Sequence, residues 1–251
     1  MSWTRTYDGV EPQRINKWLG QSGVCSRREA EGLIAEGLVS IDGEVVTDAG
    51  RKILSGQTLT LSDGATRALD AAVTLMLHKP VGYVSGQPEP DKIPAVRLLT
   101  AANATDGSPD IAADASLPPI GRLDEDSRGL LLLSSDGVVA KAVIGPESDL
   151  AKEYLVRVSG EVTERKLALL RHGLSLDGRT LKPAEVTQLK PRRLRFILRE
   201  GRNRQIRRMC ELVGLEVTDL KRTRIGPLTL GDLPEGRWRM LTADERKKLI
   251  G

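Results

Sequence analysis

A short polar segment, residues 121–137, holds the residues best suited to chemistry in this 251-residue chain. Asp124 lies two positions after Arg122, glycines bound the segment, and four leucines follow at 130–133. A turn rich in glycine and charge that enters a buried strand can present one carboxylate at the mouth of a cleft. The same pattern is equally typical of a solvated turn before a buried strand. The segment therefore offers a candidate catalytic carboxylate. The rest of the chain must show whether this is a site or only a solvated turn.

A basic cluster between residues 190 and 208 is the strongest charge feature of the chain. Eight arginines and one lysine face a single acid, Glu200, within this stretch. Its members are Lys190, Arg192, Arg193, Arg195, Arg199, Arg202, Arg204, Arg207 and Arg208. Such a cluster is the expected footprint of a polyanion site, although most charge runs are only solvated helix faces. The excess of arginine favours forked contacts to phosphate, so we expect nucleic acid as the partner.

The remaining composition argues against several classes of protein. Cys25 and Cys210 are too few and too distant for a disulfide framework, and the only histidines are His78 and His172. We expect no metal site and no small-molecule cofactor. No apolar leader or membrane-spanning stretch is visible, which favours a reducing, cytoplasmic setting without membrane contact. The sequence does not fix the oligomeric state; we expect a monomer.

Residues 12–60 are predicted to form a small separate domain. A short helix at 15–22 is followed by the capping-box pattern of Ser26 and Glu29, which opens a second helix that ends at Gly37. Alternating apolar residues around Asp42-Gly43 then predict a tight hairpin. Four basic residues belong to the helical part: Arg14, Lys17, Arg27 and Arg28. The polar, alanine-rich residues 61–72 are predicted to be a linker.

Residues 73–251 are predicted to form the second domain, an α+β fold with a large, mainly antiparallel sheet flanked by helices. Strands are expected at 73–77, 130–133, 154–158 and 194–198, with two more after residue 214; helices are expected at 138–144, 163–170, 204–213 and 242–249. His78 is expected in a turn rather than in a ligand set. Residues 100–117, rich in Ala, Asp, Ser and Pro, are predicted to be a mobile surface loop.

These motifs, taken in order, carry two family resemblances. Residues 14–19, 26–30 and 37–43 resemble the alpha-L RNA-binding domain first described in a ribosomal protein. The second domain resembles the RsuA-type pseudouridine synthases. The matching segments are residues 77–83, 121–137, 152–156 and 201–211, followed by 220–226 and 233–239. The sequence around Arg207 and Cys210 most resembles that of the RluF branch, whose substrate is large-subunit ribosomal RNA. The segment after Tyr83 and the 100–117 loop fit the family loosely and are expected to contact RNA or nothing.

The resemblance implies a role for each candidate residue. Asp124 would be the catalytic aspartate, Arg207 its charge partner, and Tyr154 the aromatic side chain against which the uracil stacks. Arg122 would fill the gap left by a flipped base, and Leu228 or Leu230 would form the apolar wall of the pocket. Among the basic residues, Arg202, Arg204 and Arg208, together with the four of the first domain, would contact RNA. Arg207 could equally be one more phosphate contact, since the sequence cannot separate these roles.

The chemistry implied by this family suits the residues present. The reaction breaks the glycosidic bond of uridine, turns the uracil and rejoins it through ring carbon 5, which requires no cofactor. A carboxylate can attack and later leave. Flipping the base costs a few kcal/mol, and stacking on an aromatic side chain returns about 1–3 kcal/mol per base. The expected function is therefore isomerisation of uridine in ribosomal RNA.

Two other functions fit parts of the sequence. A noncatalytic RNA-binding or ribosome-assembly protein could keep the same fold, but binding alone does not need a carboxylate among phosphate contacts. A metal-dependent nuclease could use Asp124, Glu125, Asp126 and Asp136. Adjacent carboxylates in one turn form a poor metal cage, and no second carboxylate cluster is evident.

Overall fold

The structure, a computed structural model, describes residues 3–86, 90–105, 111 and 117–251. The N-terminal domain contains three helices and six short strands in this part of the chain. They are β1 (Trp3–Thr6), β2 (Gln13–Arg14), α1 (Ile15–Gln21), α2 (Arg27–Ala35), β3 (Val39–Ile41), β4 (Glu44–Val45), β5 (Lys52–Ile53), β6 (Thr58–Leu61) and α3 (Asp63–Asp70). Four strands form a sheet in the order β1-β6-β3-β4, and β2 pairs with β5.

The predicted helices and hairpin of this domain are confirmed. Both halves of the capping box at the start of α2 form: the Ser26 side chain accepts from the Glu29 N–H, and the Glu29 side chain accepts from the Ser26 N–H. In the hairpin, Asp42 and Gly43 have φ of 51° and 86°. Positive φ at both central residues gives the turn that matches the twist of the two strands.

Most of the predicted linker is a helix, α3, so its expected conformation is wrong. The Ser62 side chain caps α3 by accepting from the Ala65 N–H, and Ala65 is fully buried. Alanine has the highest helix propensity, and serine is a preferred N-cap. The polar, alanine-rich composition taken for a linker is therefore equally typical of a short capped helix.

The C-terminal domain is an α+β fold, as predicted, and its large sheet is mainly antiparallel. Its strands are β7 (Thr74–Lys79), β8 (Tyr83–Val84), β9 (Ile93–Pro94), β10 (Pro119–Ile120), β11 (Arg128–Ser134), β12 (Lys152–Ser159), β13 (Ser175–Leu176), β14 (Arg179–Thr180), β15 (Glu185–Lys190), β16 (Arg193–Leu198), β17 (Glu216–Ile225), β18 (Leu228–Thr229) and β19 (Trp238–Met240). Its helices are α4 (Gly137–Ile144), α5 (Glu164–Arg171), α6 (Gln205–Leu212) and α7 (Ala243–Ile250), with 3-10 turns at Ala95–Leu98 and Ala101–Asn103.

The main sheet runs in the order β15-β16-β12-β17-β11-β7-β19, with β10 beside β11 and β18 beside β17. Within this sheet, β11 and β17 pair in parallel, at Arg128 with Lys221 and at Gly129 with Arg222. Three strands follow α6 in the described chain, where two were predicted. The parallel pair matters for function because β11 is the strand that the 121–127 turn enters.

The leucines of β11 anchor that strand from both faces. Leu130 and Leu132 pack with residues of α4 and α7, whereas Leu131 and Leu133 pack with Leu75, Leu77 and Trp238. All four β11 leucines are fully buried, which explains why they form a continuous apolar run instead of an alternating pattern. The turn before β11 therefore starts from a rigid base.

The N-terminal domain contacts the C-terminal domain at the start of α4. Glu29 accepts hydrogen bonds from the N–H of Ser26 at 2.6 Å and from the N–H of Gly137 at 3.0 Å. Lys141 donates to the carbonyl oxygen of Gly20 at 2.6 Å. One carboxylate thus caps α2 and also binds the first residue of α4, which ties the two domains together.

The structure differs from the sequence expectation at His78 and describes only part of the 100–117 loop. His78 lies within β7 instead of a turn: it is 4% exposed, and its Nδ1 lies 2.7 Å from the carbonyl oxygen of Leu233. Burial lowers the pKa of this imidazole. Most of the predicted 100–117 loop (106–110 and 112–116) lies outside the described residues. In the described part of the chain, no helix is long and apolar enough to cross a membrane.

Candidate active site

Asp124 lies in the turn between β10 and β11, at a cavity of about 570 Å³. Its side chain is 30% exposed. The cavity is lined by residues of this turn, the end of α4, the first residues of β12, the end of β16 and the start of α6. Its apolar lining includes Leu198, Ile206 and Leu220, together with the ring of Tyr154. The turn thus places its carboxylate at an open cavity.

The backbone of the turn is fixed by its neighbours. Gly121 has φ of 75°, a region that favours glycine, and the Ser127 N–H donates to the Asp124 carbonyl oxygen at 3.1 Å. Arg128 then donates two hydrogen bonds to Asp219 on β17, at 2.8 and 2.9 Å. The hydrogen bond from Arg128 holds the pKa of the Asp219 carboxyl below its usual value. Each side of the Asp124 turn is therefore constrained.

Arg204 is the arginine that lies nearest to the Asp124 carboxylate among the described ion pairs. Its Nη1 is 3.7 Å from Asp124 Oδ2, and its guanidinium donates to both carboxylate oxygens of Asp126 at 3.2 and 2.9 Å. Arg204 has φ of 49° and precedes the first residue of α6. Arg204, expected from the sequence to contact RNA, therefore also forms an ion pair with Asp124 in this structure.

Arg207 supports the turn and has no ion pair with Asp124 in the described structure. Its Nη2 donates to the Asp126 carbonyl oxygen at 2.7 Å and to the Ser127 hydroxyl at 3.3 Å, and its Nη1 donates to the Val217 carbonyl oxygen at 3.1 Å. A carboxylate oxygen of Asp126 lies 3.3 Å away. The Arg207 side chain is 14% exposed. Arg207 thus bridges α6, β17 and the turn, which differs from its expected place as the direct partner of Asp124.

Asp126 joins the two arginines electrostatically. Partial burial alone would raise the pKa of the Asp126 carboxyl, but the hydrogen bond from Arg204 and the charges of Arg207 and Arg204 outweigh it, so this pKa lies below its usual value. The carboxylate therefore stays ionised at neutral pH. It holds both guanidinium groups beside the turn that carries Asp124.

Arg202 and Arg208 were expected to contact RNA, but both are engaged within the protein. Arg202 donates to the carbonyl oxygens of Leu176, Arg179 and Thr180 at 2.9–3.1 Å, which ties the β13–β14 hairpin to the start of α6. Arg208 donates to both carboxylate oxygens of Asp177, at 2.9 and 2.6 Å. Both terminal nitrogens of Arg202 are thus bonded to carbonyl oxygens, and its Nε lies 3.5 Å from a Glu200 carboxylate oxygen, so the structure favours a structural role for Arg202.

All members of the predicted basic cluster except Arg208 fall into two groups in the fold. Arg199, Arg202, Arg204 and Arg207 line the cavity. The earlier members lie on the β15–β16 hairpin, where Arg193 is opposite Arg157, towards the end of β12 farthest from the cavity. The charged residues that are close in sequence therefore do not form one surface. The length of β16 separates the two groups, because this strand runs from the far end of β12 to the end at the cavity.

Tyr154 and Arg222 form a cross-strand pair at the cavity. They lie opposite each other on β12 and β17, and both line the cavity. Tyr154 is half-buried and packs against the cores on both sides of it. Arg222 is 2% exposed and donates to the carbonyl oxygens of Leu130 at 2.7 Å and Arg122 at 3.3 Å. Arg222 was not among the site residues expected from the sequence, although its place in the 220–226 motif was a usable signal.

The remaining expected site residues have separate positions. Arg122 is exposed at the cavity, where it is free to meet RNA. Leu228 and Leu230 are buried in the core beneath α4 and α7 and do not line the cavity. The expectation that one of them forms the pocket wall is therefore wrong. The apolar wall comes from Leu198, Ile206 and Leu220 instead.

The basic residues of the N-terminal domain form an exposed set on α1, α2 and the residue before α1. All four are exposed: Arg14, Lys17, Arg27 and Arg28. In the described structure no carboxylate lies within 4.0 Å of any of them, so their charge is not neutralised by an ion pair. Among the described residues, no group of three or more His, Cys, Asp or Glu side chains could hold a metal ion. Asp136, considered for a metal, caps α4 and pairs with Arg246 at 2.6 Å.

Comparison with known proteins agrees with this arrangement of domains. Residues 73–212 match the model of the RNA pseudouridylate synthase family, and residues 13–59 match the S4 domain. The chain belongs to the RNA pseudouridylate synthase family. It is 36% identical to the dual-specificity RNA pseudouridine synthase RluF of Salmonella typhi, over 92% of this chain and 76% of that protein. It is 35% identical to the ribosomal large subunit pseudouridine synthase B of Bacillus subtilis, over 94% of this chain and 95% of that protein.

A solved structure supports the same assignment of fold. The crystal structure of a pseudouridylate synthase matches with a TM-score of 0.65 and 27% identity, covering 94% of this chain and 99% of that chain. The family and the order of its two domains, both expected from the sequence, are therefore confirmed. The chain is an RNA pseudouridine synthase by family, and its first domain is of an RNA-binding type.

Proposed function

We propose that this protein converts uridine to pseudouridine in large-subunit ribosomal RNA, with Asp124 as the nucleophile. The observation that supports this proposal most is the position of Asp124. Its half-buried carboxylate lies at the cavity, with Oδ2 3.7 Å from Arg204 Nη1. The tyrosine and the arginines line the same cavity. The name of the Bacillus subtilis relative supports the large-subunit RNA as the substrate, and the cytoplasm, where ribosomes are assembled, is the proposed location.

The residues of the cavity suggest how the reaction proceeds. The target uridine leaves its stack, and the exposed Arg122 fills the gap in the RNA. The uracil enters the cavity beside Tyr154, and Asp124 attacks while the bond between N1 and the ribose carbon breaks. The uracil then turns, and its carbon 5 bonds to the ribose carbon as the Asp124 carboxylate is displaced. Carbon 5 finally loses its proton to solvent while N1 gains one, so the protein is regenerated without a cofactor.

Release of tritium from ribosomal RNA labelled at uridine carbon 5 tests this proposal. We expect release in the presence of EDTA, because the bond to that hydrogen breaks when carbon 5 joins the ribose and no metal takes part. RNA that is bound, stays intact and releases no tritium would favour the noncatalytic RNA-binding function. Cleaved RNA that requires a divalent cation would favour the nuclease.

Arg204 and Arg207 make separable predictions. Arg204→Ala removes the guanidinium nearest to Asp124, and we expect the saturated single-turnover rate to fall about 10–100-fold, a loss typical of a positioned charged group. Arg207→Ala removes three hydrogen bonds to the turn and β17, so we expect a similar fall in rate together with a lower free energy of unfolding. The measurements are single-turnover rates at saturating RNA and chemical denaturation.

Arg208→Ala is the control for both arginine variants, since its guanidinium pairs with Asp177 away from the Asp124 turn. It should leave the saturated rate close to that of the unchanged protein. If Arg204→Ala also weakens RNA binding and lowers its salt dependence while the saturated rate survives, Arg204 is a phosphate contact and its proposed role at Asp124 is wrong.

The N-terminal domain is proposed to capture the RNA. Deleting this domain would uncover the start of α4, which Glu29 binds, so point substitutions are the sharper test. Replacing both Arg27 and Arg28 by alanine should lower the slope of log affinity against log salt by about one to two units, close to one for each lost phosphate contact. The saturated single-turnover rate should survive. Replacing the exposed Arg5 and Arg67, on β1 and α3, is the matched control; equal effects of both pairs would contradict a specific RNA-binding face.

A further inference from the structure

A single hydroxyl group outside the cavity binds both backbone polar groups of Leu123, the residue that precedes Asp124. Ser85 is 5% exposed, and its Oγ lies 2.8 Å from the carbonyl oxygen and 2.8 Å from the N–H nitrogen of Leu123. The hydroxyl therefore donates one hydrogen bond and accepts another from the same residue. Leu123 is itself 5% exposed, so no solvent replaces these bonds. The expectation that residues 84–88 contact RNA or nothing is wrong for Ser85; residues 87 and 88 lie outside the described chain.

The segment that carries Ser85 holds the turn on both sides of Asp124. The Gly82 N–H donates to the Glu125 carbonyl oxygen at 2.9 Å, so residues 123 and 125 are each bonded to this segment. Lys79 stabilises the segment in turn, because its buried ammonium group donates to the carbonyl oxygens of Pro80 at 2.8 Å and Tyr83 at 2.6 Å. Burial lowers the pKa of Lys79 to about 8, against the opposing charges of Asp124, Asp126 and Glu125.

We propose that Ser85 is a positioning residue that sets the orientation of Asp124 by holding both backbone hydrogen-bonding groups of Leu123, the residue before it. The inference rests on the proposed role of Asp124. The nucleophile must approach one carbon atom along one direction, and a displacement of about 1 Å can reduce a rate about 10²-fold. The Asp124 side chain has no hydrogen bond of its own to the protein that would fix it within the described structure; its nearest ion pair is at 3.7 Å. Its orientation therefore depends on the backbone that carries it.

Four variants test this role. Ser85→Ala removes both hydrogen bonds. Ser85→Thr and Ser85→Val introduce side chains of the same shape, but only threonine keeps the hydroxyl group. We expect the saturated single-turnover rate of Ser85→Ala and Ser85→Val to fall at least about 10-fold with RNA affinity within about twofold. Ser85→Thr should be about 10-fold faster than Ser85→Val. Ser134→Ala is the control: Ser134 is as buried and bonds Thr74 and the Asp136 N–H, so its loss should lower stability without changing the saturated rate.

Amide hydrogen exchange in the free protein supplies a readout that does not depend on activity. The Leu123 amide should lose protection in Ser85→Ala and Ser85→Val and regain it in Ser85→Thr. Equal rates for the threonine and valine variants, or an unchanged rate in Ser85→Ala, would overturn the inference while the unchanged protein still released tritium. If the unchanged protein releases no tritium, the proposed function fails, and unaltered exchange at Leu123 would separately overturn the tie between Ser85 and the turn.

Discussion

Asp124→Asn is expected to abolish tritium release and to leave RNA affinity unchanged or slightly improved. The amide keeps the shape of the side chain but cannot form and later release an ester with the ribose. It also removes one negative charge from a cavity that receives phosphate, which favours binding. The measurements are tritium release over many hours and RNA affinity at two salt concentrations. A residual rate above about 1% of the unchanged rate would fit an assisting group, whose loss costs about 10²–10⁴-fold, and would contradict the role of nucleophile.

Asp126→Asn is the matched control for this prediction. It makes the same chemical change two residues away, at a carboxylate that binds Arg204 and lies 3.3 Å from Arg207. We expect a partial loss of rate, because both guanidinium groups lose their shared partner but the nucleophile remains. If the two variants lost activity equally and completely, the turn as a whole would be essential and the assignment to Asp124 alone would not stand.

The sequence predicted the elements whose patterns are local. The capping box of α2, the hairpin at Asp42-Gly43 and the run of leucines in β11 each depend on residues a few positions apart, and the structure confirms all three. The 61–72 segment was misread because its alanines and serine fit both a linker and a capped helix. His78 was misread because the strand continues up to Lys79, just before Pro80.

The assignment of the arginines could not be made from the sequence. Arg204 and Arg207 are three positions apart in the predicted helix 204–213, so a helical repeat would place both on one face. The choice between them depends on the backbone of Arg204, whose φ of 49° lies outside the helical region. No local pattern predicts that conformation for an arginine. Arg202 was misread for a similar reason, because its carbonyl partners belong to a hairpin more than 20 residues earlier.

The sequence did not indicate two residues that contact the site from distant positions in the chain. Ser85 binds a residue 38 positions later, and Arg222 donates to a carbonyl oxygen 100 positions earlier. Such contacts follow from the order of strands in the sheet, which interleaves β7, β11 and β17. One sequence without that order gives no reason to pair these positions, although Arg222 lies within the 220–226 motif that resembles the family.

Among glycine-to-alanine substitutions near the site, Gly129→Ala is expected to lower the free energy of unfolding the most. Gly129 has φ of 111°, and a Cβ atom there would lie 2.2 Å from the carbonyl oxygen of Arg222 and 2.7 Å from its N–H nitrogen. Both atoms belong to the backbone of the parallel β11–β17 pair, so neither can turn aside as a side chain could. The variant must part the strands directly behind the Asp124 turn. We expect the free energy of unfolding to fall by more than about 3 kcal/mol, the upper value for backbone strain alone.

Two other glycines separate the causes of that loss. Gly173 has φ of 97° but open space around its Cβ position, so Gly173→Ala should show strain alone, about 1–3 kcal/mol. Gly32 lies within α2 with open space, and Gly32→Ala should be neutral or stabilising by up to about 1 kcal/mol. Chemical denaturation of the three variants measures the order, and tritium release from the refolded Gly129 variant measures the effect on the turn. If Gly129→Ala were no worse than Gly173→Ala, the β11–β17 contact would be adjustable, and the close approach of Arg222 would not account for the loss of stability.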